Sequence, residues 1–132
     1  MSDMAAYSVA RREDATDFMA DWPEYGEQRW FTDAVGAEQV SFSWRRMLPG
    51  TGGRRSYGHR HPGHEELYFV ISGIVTFKLD DDVFEAGPQT AVRVAGDTFR
   101  SVHNDKDTEA QLLIFSTRLD EPPTEKQDDF WP

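Results

Sequence analysis

From about residue 38 onward, apolar and polar positions alternate in short runs separated by clusters of Gly, Pro and Asp. A period of two marks strands whose successive side chains point to opposite faces, and many short, evenly spaced runs mark an all-β sandwich or barrel. The runs are EQVSFSWRRML, ELYFVIS, IVTFKLD, VFEAG, TAVRVAG, FRSVHND and EAQLLIFSTR. Turn chemistry falls between them: PGTGG after the first, Ser72 and Gly73, the acidic triplet Asp80 to Asp82, and NDKDTE before the last. None of these segments sustains a helical period; upstream, residues 13–20 (EDATDFMA) suit two helical turns.

In ELYFVIS, Glu66, Tyr68 and Val70 share one face, and Leu67, Phe69 and Ile71 share the other. Both faces carry apolar side chains, so the outer one needs a cover. The N-terminal segment with Trp22, Trp30 and Phe31 is one candidate, and a second copy of the chain in a homodimer is the other. Phe42, Trp44 and Arg46 also share a face, and the two aromatics suit core packing. If that face lines the interior, Arg46 belongs to any pocket there; if not, Arg45 does.

At 132 residues, 38% hydrophobic and 13% aromatic, the chain has the size and apolar content of one domain with a real core. It divides into an N-terminal covering segment (1–37), a barrel core (about 38–118) and an acidic tail (119–132). The tail reads as a solvated terminus whose Phe130 and Trp131 are able to dock back. A formal net charge of −10 repels phosphate backbones and anionic membrane surfaces, which argues against nucleic-acid and membrane partners. The absence of cysteine excludes disulfides, thiolate metal sites and cysteine nucleophiles. Together with the lack of an apolar leader or of any run near the ~18 apolar residues of a membrane helix, it points to a cytoplasmic protein.

The chemistry concentrates in GHRHPGHEE, residues 58–66. In extended chain, residues two apart point the same way, so His59 and His61 present two imidazoles to one side and Arg60 faces the other. If the PGHE loop folds the next strand beside the first, the Glu66 carboxylate joins them. Two imidazoles and a carboxylate make an N,N,O set suited to iron, manganese, nickel or zinc. His64 reads as a solvated loop histidine, and Glu65 as a surface or interface residue. No Ser-His-Asp order, phosphate loop or dinucleotide fingerprint is present.

The spacing adds specificity. Gly53, five residues, His59-x-His61, four residues, Glu66, six residues and Gly73 reproduce the first motif of the cupin superfamily at every position. The chain therefore resembles a small single-domain cupin over about residues 38–118. That resemblance implies a jelly-roll β-barrel, often dimeric, with a site in its mouth where the matching histidines and glutamate bind a metal. The family's second motif, G, five residues, P-x-G, two residues, H, three residues, N, falls with every gap kept on Gln89, Ala95, Asp97, Arg100 and Asn104. A rival register that uses Gly96 as the P-x-G glycine puts Phe99 at the histidine position and His103 at the asparagine position; neither register supplies the histidine. In the first register Arg100 stands where the fourth ligand belongs. A guanidinium has no lone pair and stays protonated, so it pairs with Glu66 instead of binding metal.

Two readings of the site remain open, beside a third in which the barrel is structural or sensory and its own side chains fill the pocket. In the first, the metal is lost and His59, His61, Glu66, Arg100 and Arg46 recognise a small anionic or polyol-like molecule. In the second, His59, His61 and Glu66 hold a divalent metal as the site of a dioxygenase- or isomerase-type enzyme, and Arg100 holds a substrate carboxylate. Without metal, His59 or His61 is available as a general base, with Arg100 stabilising an enolate oxyanion.

Overall fold

The computed structural model describes residues 6–132, so residues 1–5 of the expected covering segment lie outside the described residues. The strands are β1 (Thr16–Asp17), β2 (Gly26–Trp30), β3 (Val40–Met47), β4 (Ser56–Arg60), β5 (Glu66–Ser72) and β6 (Val75–Leu79). They continue with β7 (Asp82–Ala86), β8 (Ala91–Val94), β9 (Arg100–His103), β10 (Ala110–Thr117) and β11 (Glu125–Trp131). A short α-helix, α1 (Phe31–Val35), follows β2, and two 3-10 turns, Arg12–Asp14 and Pro23–Tyr25, precede that strand. All strand pairs are antiparallel, in two sheets ordered β1-β2-β3-β10-β5-β8 and β11-β4-β9-β6-β7. This is the jelly-roll barrel expected from the alternating runs.

The registers stack the interior in layers that grade from apolar to polar. Ala110 lies opposite Met47, and Leu112 opposite Arg45 and Val70. Ile114 lies opposite Ser43 and Tyr68, and Ser116 opposite Ser41 and Glu66. Met47, Val70, Ala110 and Leu112 are fully buried and close one end of the barrel with Phe77 and Val75 from the facing sheet. The other end is lined by serines, arginines, histidines and a glutamate, which leaves a cavity in place of a packed core.

The two ends of the chain depart from expectation. Residues 13–20 form no α-helix, only the end of one 3-10 turn (Arg12–Asp14) followed by β1: the Asp17 carboxylate accepts from the backbone N–H groups of Met19 and Gln28, each at 2.9 Å, and so ties β1 to β2. Asp competing in this way for nearby backbone donors favours turns over helix. The N-terminal segment mostly extends the first sheet: β2 pairs with β3, and the outer face is covered by α1, where Phe31 stacks on Phe42 and Phe42 on Phe115, and by Arg12, which lies over the Trp44 ring and bonds Glu27. Trp22 stays half exposed, and Leu67 and Ile71 remain exposed.

The acidic tail, expected as a solvated terminus, is strand β11 at the edge of the second sheet, paired with β4. Its polar residues face water while Phe130 and Trp131 are buried. Phe130 fits against Gly58, where a Cβ would stand 2.3 Å from the ring. A glycine at that position is therefore a socket, since any larger side chain would displace the tail.

Candidate functional site

His59 projects inward from β4, His61 follows that strand, and Glu66 opens β5. β4 and β5 belong to different sheets, so the carboxylate meets the imidazoles across the barrel and not from an adjacent strand. One ligand atom from each of the three lies within 4.8 Å of the other two. His61 Nδ1 donates to the Pro123 carbonyl at 3.0 Å, with Thr124 Oγ1 at 3.1 Å, both from the segment leading into β11. With its proton on Nδ1, the ring keeps its lone pair on Nε2, the outer-shell arrangement that fixes a metal-ligating imidazole.

Burial above all, then His61, Arg100 and Arg45, push the pKa of His59 down to about 4, with Glu66 opposing. The ring is neutral at physiological pH, the form that binds a cation. His103 is also lowered, again mainly by burial. Between the folded and unfolded pKa values of His59 the unfolded chain holds more protons, so stability rises with pH there and is lost as pH falls from about 6.5 toward 4, and His103 acts in the same direction. We expect metal-free protein to lose up to about 3 kcal/mol over that window through His59. Urea unfolding at stepped pH measures it, and His59→Asn should flatten the profile.

Arg100, 1% exposed, is the largest side chain among those fully buried. Its Nη2 donates to the carbonyls of Ala95 at 2.9 Å and Thr98 at 3.1 Å, and its Nη1 lies 3.4 Å from Glu66 Oε1. The same oxygen accepts a hydrogen bond from the Tyr68 hydroxyl, whose pKa burial raises well above its ordinary value, with Glu66 adding to the shift. Arg100 faces His59 in the β4–β9 pairing. At the glycine position of the gap-keeping second motif, Gln89 adopts φ 64°, left-handed geometry that glycine favours. Asn104, fully buried, donates to the carbonyls of Met47 and Thr108 and accepts from the Lys106 N–H, so it locks the turn before β10. Phe99 instead packs outward on Phe130, and His103 sits edge-on to Trp131 with Nδ1 bonded to the Arg54 N–H. Both lie on the far side of the sheet from Glu66, and the rival register loses its support.

Arg46 does not reach the pocket, which corrects its place in the expected ligand set. It pairs with Glu27 at 2.8 Å and Glu109 at 3.0 Å on the outer face of the first sheet. Burial alone would raise the pKa of Glu27, but hydrogen bonds from Arg12, Arg46 and Arg29 bring it down to about 2. Arg46 thus serves to pin β2 to β3, and Phe42 and Trp44 share its outward face. Arg45 takes the inward position. Burial lowers its pKa, Tyr68 opposes, and among the described residues it has no ion pair or side-chain hydrogen bond. It stays protonated at neutral pH all the same.

His64 stands outside the three-donor group: its Nε2 donates to the Thr117 carbonyl at 2.7 Å. Glu65 is exposed and paired with Arg93 at 2.7 Å. The cavity, about 400 Å³, also takes in Ser41, Ser43 and Ser116 with Gln28, Trp30 and Tyr57. None of these six is expected in the site from the sequence, where Trp30 reads only as cover for the outer sheet face; the inward parity of Ser41 and Ser43 follows only once Arg45 is known to face inward.

Among the described residues no helix is long and apolar enough to cross a membrane. No curated protein matches the chain. Solved structures share its fold. The polyketide cyclase RemF from Streptomyces resistomycificus superposes with a TM-score of 0.70 at 18% identity, over 94% of this chain and 86% of that one. KdgF from Halomonas sp. does so with a TM-score of 0.65 at 16% identity, over 89% and 97%. A candidate sugar phosphate isomerase from Acidithiobacillus ferrooxidans gives a TM-score of 0.62 at 24% identity over 75% of this chain, which spans only 64% of that protein's length. The family model described as "Cupin domain" matches residues 45–116, the stretch from Arg45 through β10 that builds the barrel mouth, and the chain belongs to that family.

Proposed function

We propose that the barrel mouth is a small-molecule site in which Arg45 seats an anion and His59, His61 and Glu66 hold a divalent cation beside it. The observation that carries the reading is the unpartnered Arg45 guanidinium in the same cavity as three convergent metal donors. Arg45 reaches the cavity with no protein partner among the described residues, so its five N–H donors are free to receive a ligand anion.

The donor set fits a cation. His59 is neutral at physiological pH, His61 has its Nδ1 engaged by Pro123, and Arg100 and Tyr68 engage only Oε1 of Glu66, which leaves Oε2 without a side-chain partner among the described residues. When bound, the ion supplies Lewis-acid polarisation of a substrate oxygen, the chemistry of a two-histidine, one-carboxylate centre. The protein's own groups orient the ligand: Arg45 fixes one end, and the Tyr68 hydroxyl holds the Glu66 carboxylate in place. Structural likeness to an isomerase, a cyclase and KdgF is consistent with small-molecule chemistry in this mouth.

Arg100 at 3.4 Å from Glu66 favours a second reading, a metal-free binder with the same anion seat. Reconstitution of tag-free, chelator-treated protein with manganese, iron, nickel and zinc, followed by elemental analysis, separates the two. We expect about one ion per chain for at least one metal; protein that retains none of the four would leave the metal-free binder standing.

A further inference from the structure

We infer that the ligand is a polyhydroxylated carboxylate, a sugar acid in chemical class, with its carboxylate on Arg45 and its hydroxyls on Ser41, Ser43 and Ser116. This deepens the proposed reading of the mouth as an anion site and rests on it. Inward positions of a small barrel are ordinarily filled by large apolar side chains. Along β3 those positions read Ser41, Ser43, Arg45, Met47, so three of the four are polar, and cross-strand pairing adds Ser116 beside Ser41. Ser41 is 8% and Ser43 3% exposed, yet neither hydroxyl has a side-chain hydrogen bond with any described residue, and both line the cavity.

These hydroxyls face the cavity and have no protein partner among the described residues to give up, so a ligand hydroxyl can bond them without breaking an existing contact. Each serine both donates and accepts, and so does each alcohol of a polyol, so a row of serines spaced two residues apart suits a chain of hydroxyls. The anion end is set by one free guanidinium, whose planar fork matches a carboxylate with two parallel bonds. The other buried arginine is committed to Glu66 and two carbonyls, so Arg45 alone is left to receive the anion. At about 400 Å³ the cavity sits at the small end of ligand pockets, fitting a single sugar-sized acid.

The test uses four probes on the full chain, both metal-free and manganese-loaded, read by tryptophan fluorescence and checked by thermal shift. Gluconate carries both features, hexanoate the carboxylate alone, sorbitol the hydroxyls alone, and glucose 6-phosphate a phosphate in place of the carboxylate. We expect gluconate to bind at least tenfold tighter than any of the other three. Arg45→Met should reduce gluconate binding to the level of sorbitol, with Arg45→Lys retaining part of it, and Ser41→Ala with Ser43→Ala should reduce it to the level of hexanoate. Hexanoate equal to gluconate would overturn the hydroxyl assignment, and glucose 6-phosphate tighter than gluconate would overturn the carboxylate; in both cases the anion site itself survives. Binding of none of the anions in either metal state would overturn the anion site as well.

Discussion

Arg100→Met is expected to destabilise the protein by about 3–5 kcal/mol, the usual cost of breaking a buried, hydrogen-bonded ion pair from one side. The two side chains are similar in length, so the loss is polar and leaves no large cavity. It strands the carbonyls of Ala95 and Thr98, which Arg100 holds at 2.9 and 3.1 Å, and removes the cation beside Glu66. Arg45→Met, the same substitution in the same cavity, should do the opposite. Arg45 has no protein partner to strand, so replacing an uncompensated charge with an apolar side chain should leave stability unchanged or raise it by about 1–2 kcal/mol. Urea unfolding of both variants at neutral pH decides the matter; equal losses would mean that the two arginines have the same role. The contrast separates a side chain that builds the mouth from one that serves its occupant.

Why the sequence distinguished some of these residues and not others follows from what faces each strand. In β5 the inward set Glu66, Tyr68, Val70 and the outward set Leu67, Phe69, Ile71 could be sorted by alternation, and the motif spacing indicated which set faced the site. In β3 the alternation was equally clean but its sense was hidden. The outward positions Phe42 and Trp44 are aromatic because Phe31, Phe115 and neighbouring side chains cover them, while the inward positions are serines because a cavity lies there. The ordinary rule that apolar residues point inward therefore runs backwards on that strand, and an arginine on each parity leaves composition unable to choose.

Strand β11 was hidden for a related reason. As an edge strand it buries only Phe130 and Trp131, and the rest of EKQDDFW is free to be polar. The segment just before it reaches the site mainly through a backbone group, the Pro123 carbonyl on His61, which carries no side-chain signature. The second motif was legible through its gaps alone: Arg100 and Asn104 occupy the expected positions although four of the motif's five residue types have changed.

Cation affinity should move in opposite directions at the two sides of the mouth. His59→Ala combined with His61→Ala removes two of three donors and leaves a lone carboxylate already engaged by Arg100 and Tyr68, so binding should fall by at least a thousandfold, beyond detection in a titration with nickel or zinc. Arg100→His acts from the facing strand. It replaces a fixed positive charge near Glu66 with a neutral nitrogen donor, opposite His59 in the β4–β9 pairing. Removing the repulsion and completing a four-ligand set should together tighten binding by about a hundredfold, against the 10- to 100-fold typical of adjusting outer-shell partners alone. The gain must be read against the lost contacts to Ala95 and Thr98, which weaken the apo fold; a metal-dependent rise in melting temperature larger in Arg100→His than in wild type isolates the binding term from the folding term. Equal metal affinity in the two proteins would place Arg100 outside the cation's reach and leave its role as the clasp of the Ala95 to Thr98 loop.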